Sequence, residues 1–204
     1  MNRRHFLGTL GGGVIVAQAS EAGLQKSAEG KRYLLSNEGC GRATGYAEAN
    51  KILTIGDQTH VAWLDSPPEG FRVRMRTLNR KTGEWSRKFT LGEAHDNHGG
   101  PALSVDSEGY LHIAYFPHHH PFRYRRSKRA NDASEWGEEI EFGEKLTYPT
   151  LLCGPDNTLY FTARRSFKAK PWEVELWVKK HGTDWARSGS ILRSRYKGYA
   201  HFQE

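Results

Sequence analysis

"GPALSVDSEGYLHIAYFP", residues 100–117, decides the fold. An apolar run meets the polar stretch Asp106-Ser107-Glu108-Gly109 and is followed by a second apolar run. Asp and Ser hydrogen-bond their own backbone and Gly tolerates positive φ, so the stretch reads as strand, tight turn, strand. The same pattern stands on either side. "ANKILTIGDQTHVAWLD" (49–65) turns at Gly56-Asp57-Gln58, and "YPTLLCGPDNTLYFTARRS" (148–166) turns at Pro155-Asp156-Asn157.

Each unit then continues into an alternating segment. In "RVRMRTLN" (72–79), Val73, Met75 and Leu78 interleave with Arg72, Arg74 and Arg76; in "FRYRRS" (122–127), Phe122 and Tyr124 oppose Arg123 and Arg125; in "VELWVKK" (174–180), Val174, Leu176 and Val178 share one side. A period of two means strand. Trp85, Trp136 and Trp185, spaced 51 and 49 apart, each start a fourth strand in this reading. Four antiparallel strands repeated at about fifty residues describe the blades of a β-propeller, preferred here over a β-sandwich. The fold class is therefore all-β, with blades at 46–97, 98–147 and 148–198 and the opening of a fourth in "GYAHFQE" (198–204). Propellers close with roughly 4–8 blades, so the expectation is part of a larger propeller whose further C-terminal blades close the ring.

The first residues read as an address. Paired Arg3 and Arg4, then Phe6 and Leu7, a weakly apolar Gly-rich stretch and Ala17-Gln18-Ala19 match a twin-arginine export signal over 1–19. Residues 20–45 read as a lead-in segment and 46–204 as the partial propeller. The apolar run is too short for a membrane span, which needs about 20 residues. The formal net charge is +7, and cleavage after Ala19 leaves +5, from 28 basic against 23 acidic residues. This mild excess suits an anionic substrate, while the absence of a long basic run argues against a nucleic-acid partner. Cys40 and Cys153 suit either a disulfide or two buried thiols.

Hairpin geometry gathers a candidate site. Residues equidistant from a turn sit side by side. His98 and His118 lie ten residues before and after Glu108, and Tyr148 and Arg164 lie eight before and after Asp156. All four should meet at one rim of two neighbouring blades. A histidine moves protons near neutral pH, a tyrosine does so beside a cation, and an arginine grips a carboxylate at two points. The implied reaction is proton abstraction α to a carboxylate with loss of a β-oxygen, a lyase reaction on a uronate polymer. A glycoside hydrolase usually needs two carboxylates, and no pair stands out among Asp96, Asp65 and Glu48. No cofactor is required by this chemistry. A structural metal remains open: His118-His119-His120 is a candidate, although neighbours on a strand point to opposite faces.

"DNHGGPALSVDSEGYLHIAYFPHH" (96–119), the 148–166 segment and "GYAHF" (198–202) resemble the BNR-repeat propeller proteins that include the ulvan lyases. The resemblance covers roughly 40–204. It implies a seven-bladed propeller that cleaves sulfated, uronate-containing polysaccharide by β-elimination. It further implies His98 as a proton-transfer residue, Tyr148 as its acid/base partner, Arg164 as the carboxylate neutraliser and His118 as a supporting residue. Which of His98 and Tyr148 takes the proton stays open. The sialidase Asp box is only echoed in "SVDSEGYLH" (104–112). A non-catalytic carbohydrate-binding propeller, a sialidase-like hydrolase and an inactive fragment are the alternatives.

Overall fold

The computed structural model describes residues 31–196. Residues 31–34 belong to an N-terminal unit of their own, and the following description concerns the compact unit that begins at Leu35. The export signal and the "GYAHF" segment lie outside the described residues.

The described unit contains strands and no helix. β1 (Ile52–Ile55), β2 (Gln58–Asp65), β3 (Arg72–Asn79), β4 (Glu84–Trp85) and β5 (Phe89–Glu93) form one antiparallel sheet, in which both β4 and β5 pair with β3. β6 (Ala102–Val105), β7 (Leu111–Tyr115), β8 (His120–Arg126), β9 (Ile140–Cys153), β10 (Leu159–Arg165), β11 (Glu173–Lys179) and β12 (Ala186–Arg193) form a second sheet, every strand paired with its neighbours in sequence.

Strand β9 joins two units that the sequence reads as separate. Its first half pairs with β8, Tyr124 facing Ile140, and its second half pairs with β10, Phe161 facing Leu151. The result is three successive meanders four strands wide, β4 and β5 sharing the outer place beside β3 in the first, of the kind that form propeller blades.

Alternation explains how the meanders pack. β7 is buried along its whole length. Leu111, Ile113 and Tyr115 join Leu64, Val73, Met75 and Leu91 of the first meander in one cluster. Ala114 points the other way and joins Phe122, Tyr124, Phe142, Phe161 and Trp185 in a second cluster. The middle meander therefore buries both faces, as a blade between two others must. Small Ala102 and Ala114, paired across β6 and β7, leave room for the Phe and Trp rings of the third meander.

Three expectations need correction. The tryptophans mark the approach to the outer strands rather than starting them. Trp85 ends the two-residue β4, Trp136 forms an isolated bridge with Ser127 before Ile140, and Trp185 immediately precedes β12. Trp136 and Trp185 are members of the two core clusters, with Trp185 stacked at 4.5 Å on Phe142, and Trp85 lies against the Arg76 guanidinium, so packing sets their position. Next, Arg164 pairs with Thr147 and not with Tyr148, because Tyr148 and Pro149 together face Ala163 in a β-bulge. Finally, β11 does not keep a simple two-faced alternation: Glu173, Val174 and Glu175 are all buried, and two register shifts interrupt its pairing with β12. Both cysteines are free thiols, each set against a different core cluster.

Candidate active site

The site begins with two tight approaches. After β5 the chain turns through Asp96–Gly99, with the Gly99 N–H donating to the Asp96 carbonyl at 3.1 Å. A Cβ on Gly99 would lie 2.5 Å from Ala94 Cβ and 2.6 Å from the Phe116 carbonyl oxygen, and one on Gly100 would lie 2.8 Å from the Gly45 oxygen. Glycine at both positions lets three backbone segments meet, and the meeting places His98 beside the chain leaving β7. Phe116 and His119 have φ of 99° and 66°, turning the 116–119 segment back over His98. Tyr148, at φ 62°, is swung out of line by its bulge. Non-glycine residues at such angles cost about 1–3 kcal/mol each, and clusters of them are characteristic of functional sites.

Asp96 organises the imidazoles. Its Oδ1 accepts from the His98 backbone N–H at 2.7 Å and from His98 Nδ1 at 3.0 Å, and its Oδ2 accepts from His118 Nδ1 at 2.6 Å. The two rings stack with centroids 3.8 Å apart, and His119 stacks on His118 at 4.3 Å. Burial raises the Asp96 pKa, but the hydrogen bonds from the His98 backbone and from the His118 and His98 rings outweigh it, so the carboxyl titrates below its usual range. Burial lowers the pKa of His98, with the bond to Asp96 opposing it and the charges of His118 and Arg42 adding to it. The His119 pKa is lowered too, by burial first and then by His118 and Arg164.

Tyr148 stands near His98, ring centroids 6.2 Å apart. Tyr46 meets Tyr148 edge-on at 4.4 Å. Burial, followed by the charge and hydrogen bond of Tyr148, raises the pKa of the Tyr46 phenol. Beneath Tyr148 lies Arg164, only 3 % exposed, its guanidinium carbon 4.3 Å from the Tyr148 ring centre and 4.1 Å from that of Trp172. Buried Lys51 donates to the Tyr46 and Ala49 carbonyls, both at 2.8 Å, and steadies the loop that carries Tyr46. Burial lowers its pKa to about 8, against the pull of Glu48.

The structure thus brings His98, His118 and Tyr148 to one rim, with Arg164 behind the tyrosine. Sequence reasoning missed Arg42, Tyr46, Trp172 and the organising role of Asp96. Arg42 comes from the segment read as a lead-in and donates to Tyr46 Oη at 2.7 Å and to His98 Nε2. No periodicity marks that segment. Asp96 was legible in principle, since Asp two residues before a histidine can reach its Nδ1. A cleft of about 470 Å³ adjoins the site, lined by His119, Lys145, Ser166, Phe167, Lys168 and Trp172.

Other polar groups fall elsewhere. His120 leaves its neighbours and packs on His95 at 4.3 Å, so His118-His119-His120 does not form a metal cluster. Asp96, His98 and His118 are the described residues whose donor atoms lie within 4.8 Å of one another, a spacing open to a divalent ion. Asp65, fully buried, accepts from Trp63 Nε1 at 2.6 Å and from Lys88 at 3.2 Å, so it is structural rather than catalytic. At the opposite, turn-bearing end of the middle meander, His112 bridges Tyr124 Oη (2.6 Å) and Asp106 (3.1 Å). Asp106 of the echoed Asp box also accepts two turn N–H groups, a structural role.

With this geometry in place, known proteins can be compared. The model of the BNR repeat-containing family matches residues 58–199. The chain belongs to that family. This BNR-repeat chain is 25 % identical over 144 residues to an ulvan lyase named PL25 from Pseudoalteromonas sp. strain PLSV, covering 58 % of the chain and 29 % of that relative. It is 28 % identical over 122 residues to an ulvan lyase of Nonlabens ulvanivorans, covering 47 % of the chain and 26 % of that protein. The chain spans between a quarter and a third of the length of these curated relatives. Among solved structures, a PL25 ulvan lyase bound to -[GlcA(1-4)Rha3S]- superposes with a TM-score of 0.62 at 21 % identity, over 76 % of this chain and 39 % of the other. A Hadza microbial sialidase superposes with a TM-score of 0.50 at 13 % identity, over 70 % and 37 %. These likenesses establish the β-propeller architecture of the BNR-repeat chain.

Proposed function

We propose that this chain carries the proton-moving site of a polysaccharide lyase that cleaves a sulfated, uronate-containing polymer by β-elimination. The observation that carries the reading is the meeting of His98, His118 and Tyr148 at one rim, backed by Asp96 and two guanidinium groups. The similarity to ulvan lyases supports the substrate class. In the reaction a base removes the proton from C5 of the uronate, the C5–H electrons form the C4=C5 double bond, and the C4–O bond breaks. The departing oxygen takes a proton from the enzyme.

We assign the base to His98 and the acid to Tyr148. Both Nδ1 atoms of the histidine pair face Asp96, leaving each Nε2 to accept a proton, and His98 is the histidine whose ring lies near Tyr148. Arg164 lies under the Tyr148 ring, and this cation–π contact fixes the ring that delivers the proton. His118 shares the charge on Asp96 and holds the His98 ring by stacking. Export through the signal read in residues 1–19 would place the enzyme where such polymers occur.

The test is chromatographic and spectroscopic. The purified chain is incubated with sulfated and unsulfated uronate polymers, and unsaturated ends are followed by ultraviolet absorbance. His98→Ala and Tyr148→Phe should each lower turnover by about 10²–10⁴-fold while leaving glycan binding in place. Saturated reducing ends would instead indicate a hydrolase. Binding without any cleavage by the unmutated protein would indicate a carbohydrate-binding propeller.

A further inference from the structure

Arg164 is nearly sealed between Tyr148 and Trp172, whereas Arg42 is exposed and touches His98. Arg42 Nη1 donates to Tyr46 Oη at 2.7 Å, to Asn97 Oδ1 at 3.5 Å and to His98 Nε2. Its guanidinium carbon lies 5.6 Å from the Tyr46 ring centre. These partners are all neutral acceptors. A guanidinium cannot accept a hydrogen bond, so His98 Nε2 accepts and Nδ1 holds the ring proton toward Asp96. In this arrangement Arg42 covers the lone pair that the proposed base must use.

We propose that Arg42 is a substrate-released cap on His98. The uronate carboxylate draws the exposed guanidinium away, Arg42 helps hold the substrate, and His98 Nε2 is uncovered beside the C5 proton. The exchange is favourable because charge-assisted guanidinium–carboxylate bonds are roughly twice as strong as those to neutral acceptors. The consequence is an engaged base only when an acid sugar is bound. This rests on the lyase reading for its catalytic meaning, but the cap itself is a property of the unliganded protein.

The charged and titratable groups around His98 are Asp96, His118, His119, Arg42, Tyr46 and Tyr148. Removing Arg42 takes away a positive charge and a donor to Nε2, so protonation of His98 becomes easier.

The experiment combines nitrogen NMR of the histidines with pH-dependent kinetics on the full chain, Arg42→Ala and Arg42→Lys. In the unmutated protein His98 should be the Nδ1–H tautomer. Methyl glucuronoside, a uronate with no glycosidic bond at O4, should shift its Nε2 resonance. In Arg42→Ala the His98 titration and the acidic limb of kcat/KM should move up by roughly one pH unit, and KM should rise about tenfold with a smaller change in kcat. Arg42→Lys, which keeps the charge, should restore the pH limb. An unchanged His98 titration and Nε2 resonance in Arg42→Ala would overturn the proposal. If the unmutated protein makes no unsaturated product, the lyase reading fails, and the NMR measurement still decides whether Arg42 caps His98.

Discussion

Asp96 holds two imidazoles on one carboxylate, and that single residue separates the site from a mere gathering of histidines. Its negative charge raises the pKa of His98, opposing burial and the nearby cations. Asp96→Asn should therefore shift the acidic limb of the pH–rate profile downward, the opposite direction to Arg42→Ala, and lower kcat by about 10²-fold or more with little change in KM. Profiles of both variants against the same polymer check the sign. At this scale the sequence was informative where local geometry was enough. Counting outward from Glu108 correctly placed His98 against His118. It failed for Arg42, because nothing in "CGRATGY" (40–46) has a period or a motif, and its approach depends on the loop fold.

Among the elements, the Gly99–Gly100 crossing and the bulge in β9 do the positioning. Gly99→Ala would drive a methyl group into Ala94 and the Phe116 carbonyl. Such overpacking against backbone costs about 1–3 kcal/mol, to be read as a fall in the urea midpoint with unchanged m-value. Because Phe116 leads into His118, activity should fall along with stability. The strands themselves were legible, since alternation and turn residues act locally. The bulge was not. Turn counting paired Tyr148 with Arg164, whereas the bulge shifts the register by one and stacks the guanidinium beneath the ring. Pro149 offers no ladder N–H, which is a physical reason for the irregularity to fall there, but alternation alone does not say which residue is left over.

For the molecule as a whole, net charge governs how it meets a charged polymer. The formal net charge of +7 gives the chain a long-range attraction for anionic polymers that salt screens. Raising sodium chloride from about 0.05 M to about 0.5 M, where the Debye length falls well below 10 Å, should weaken binding of a polyuronate to His98→Ala by about tenfold, measured by calorimetry. A neutral polysaccharide should show no such dependence. The sequence by itself determined the all-β character, the three meanders and the core-facing side of β3 and β8, because side-chain alternation and turn chemistry are fixed over a few residues. Only the tertiary structure decided that Asp96 joins the two histidines, that Arg164 is buried behind Tyr148 and that Arg42 reaches His98. Those contacts depend on the close approach of distant backbone segments, which is set by packing between meanders and leaves no periodic trace along the chain.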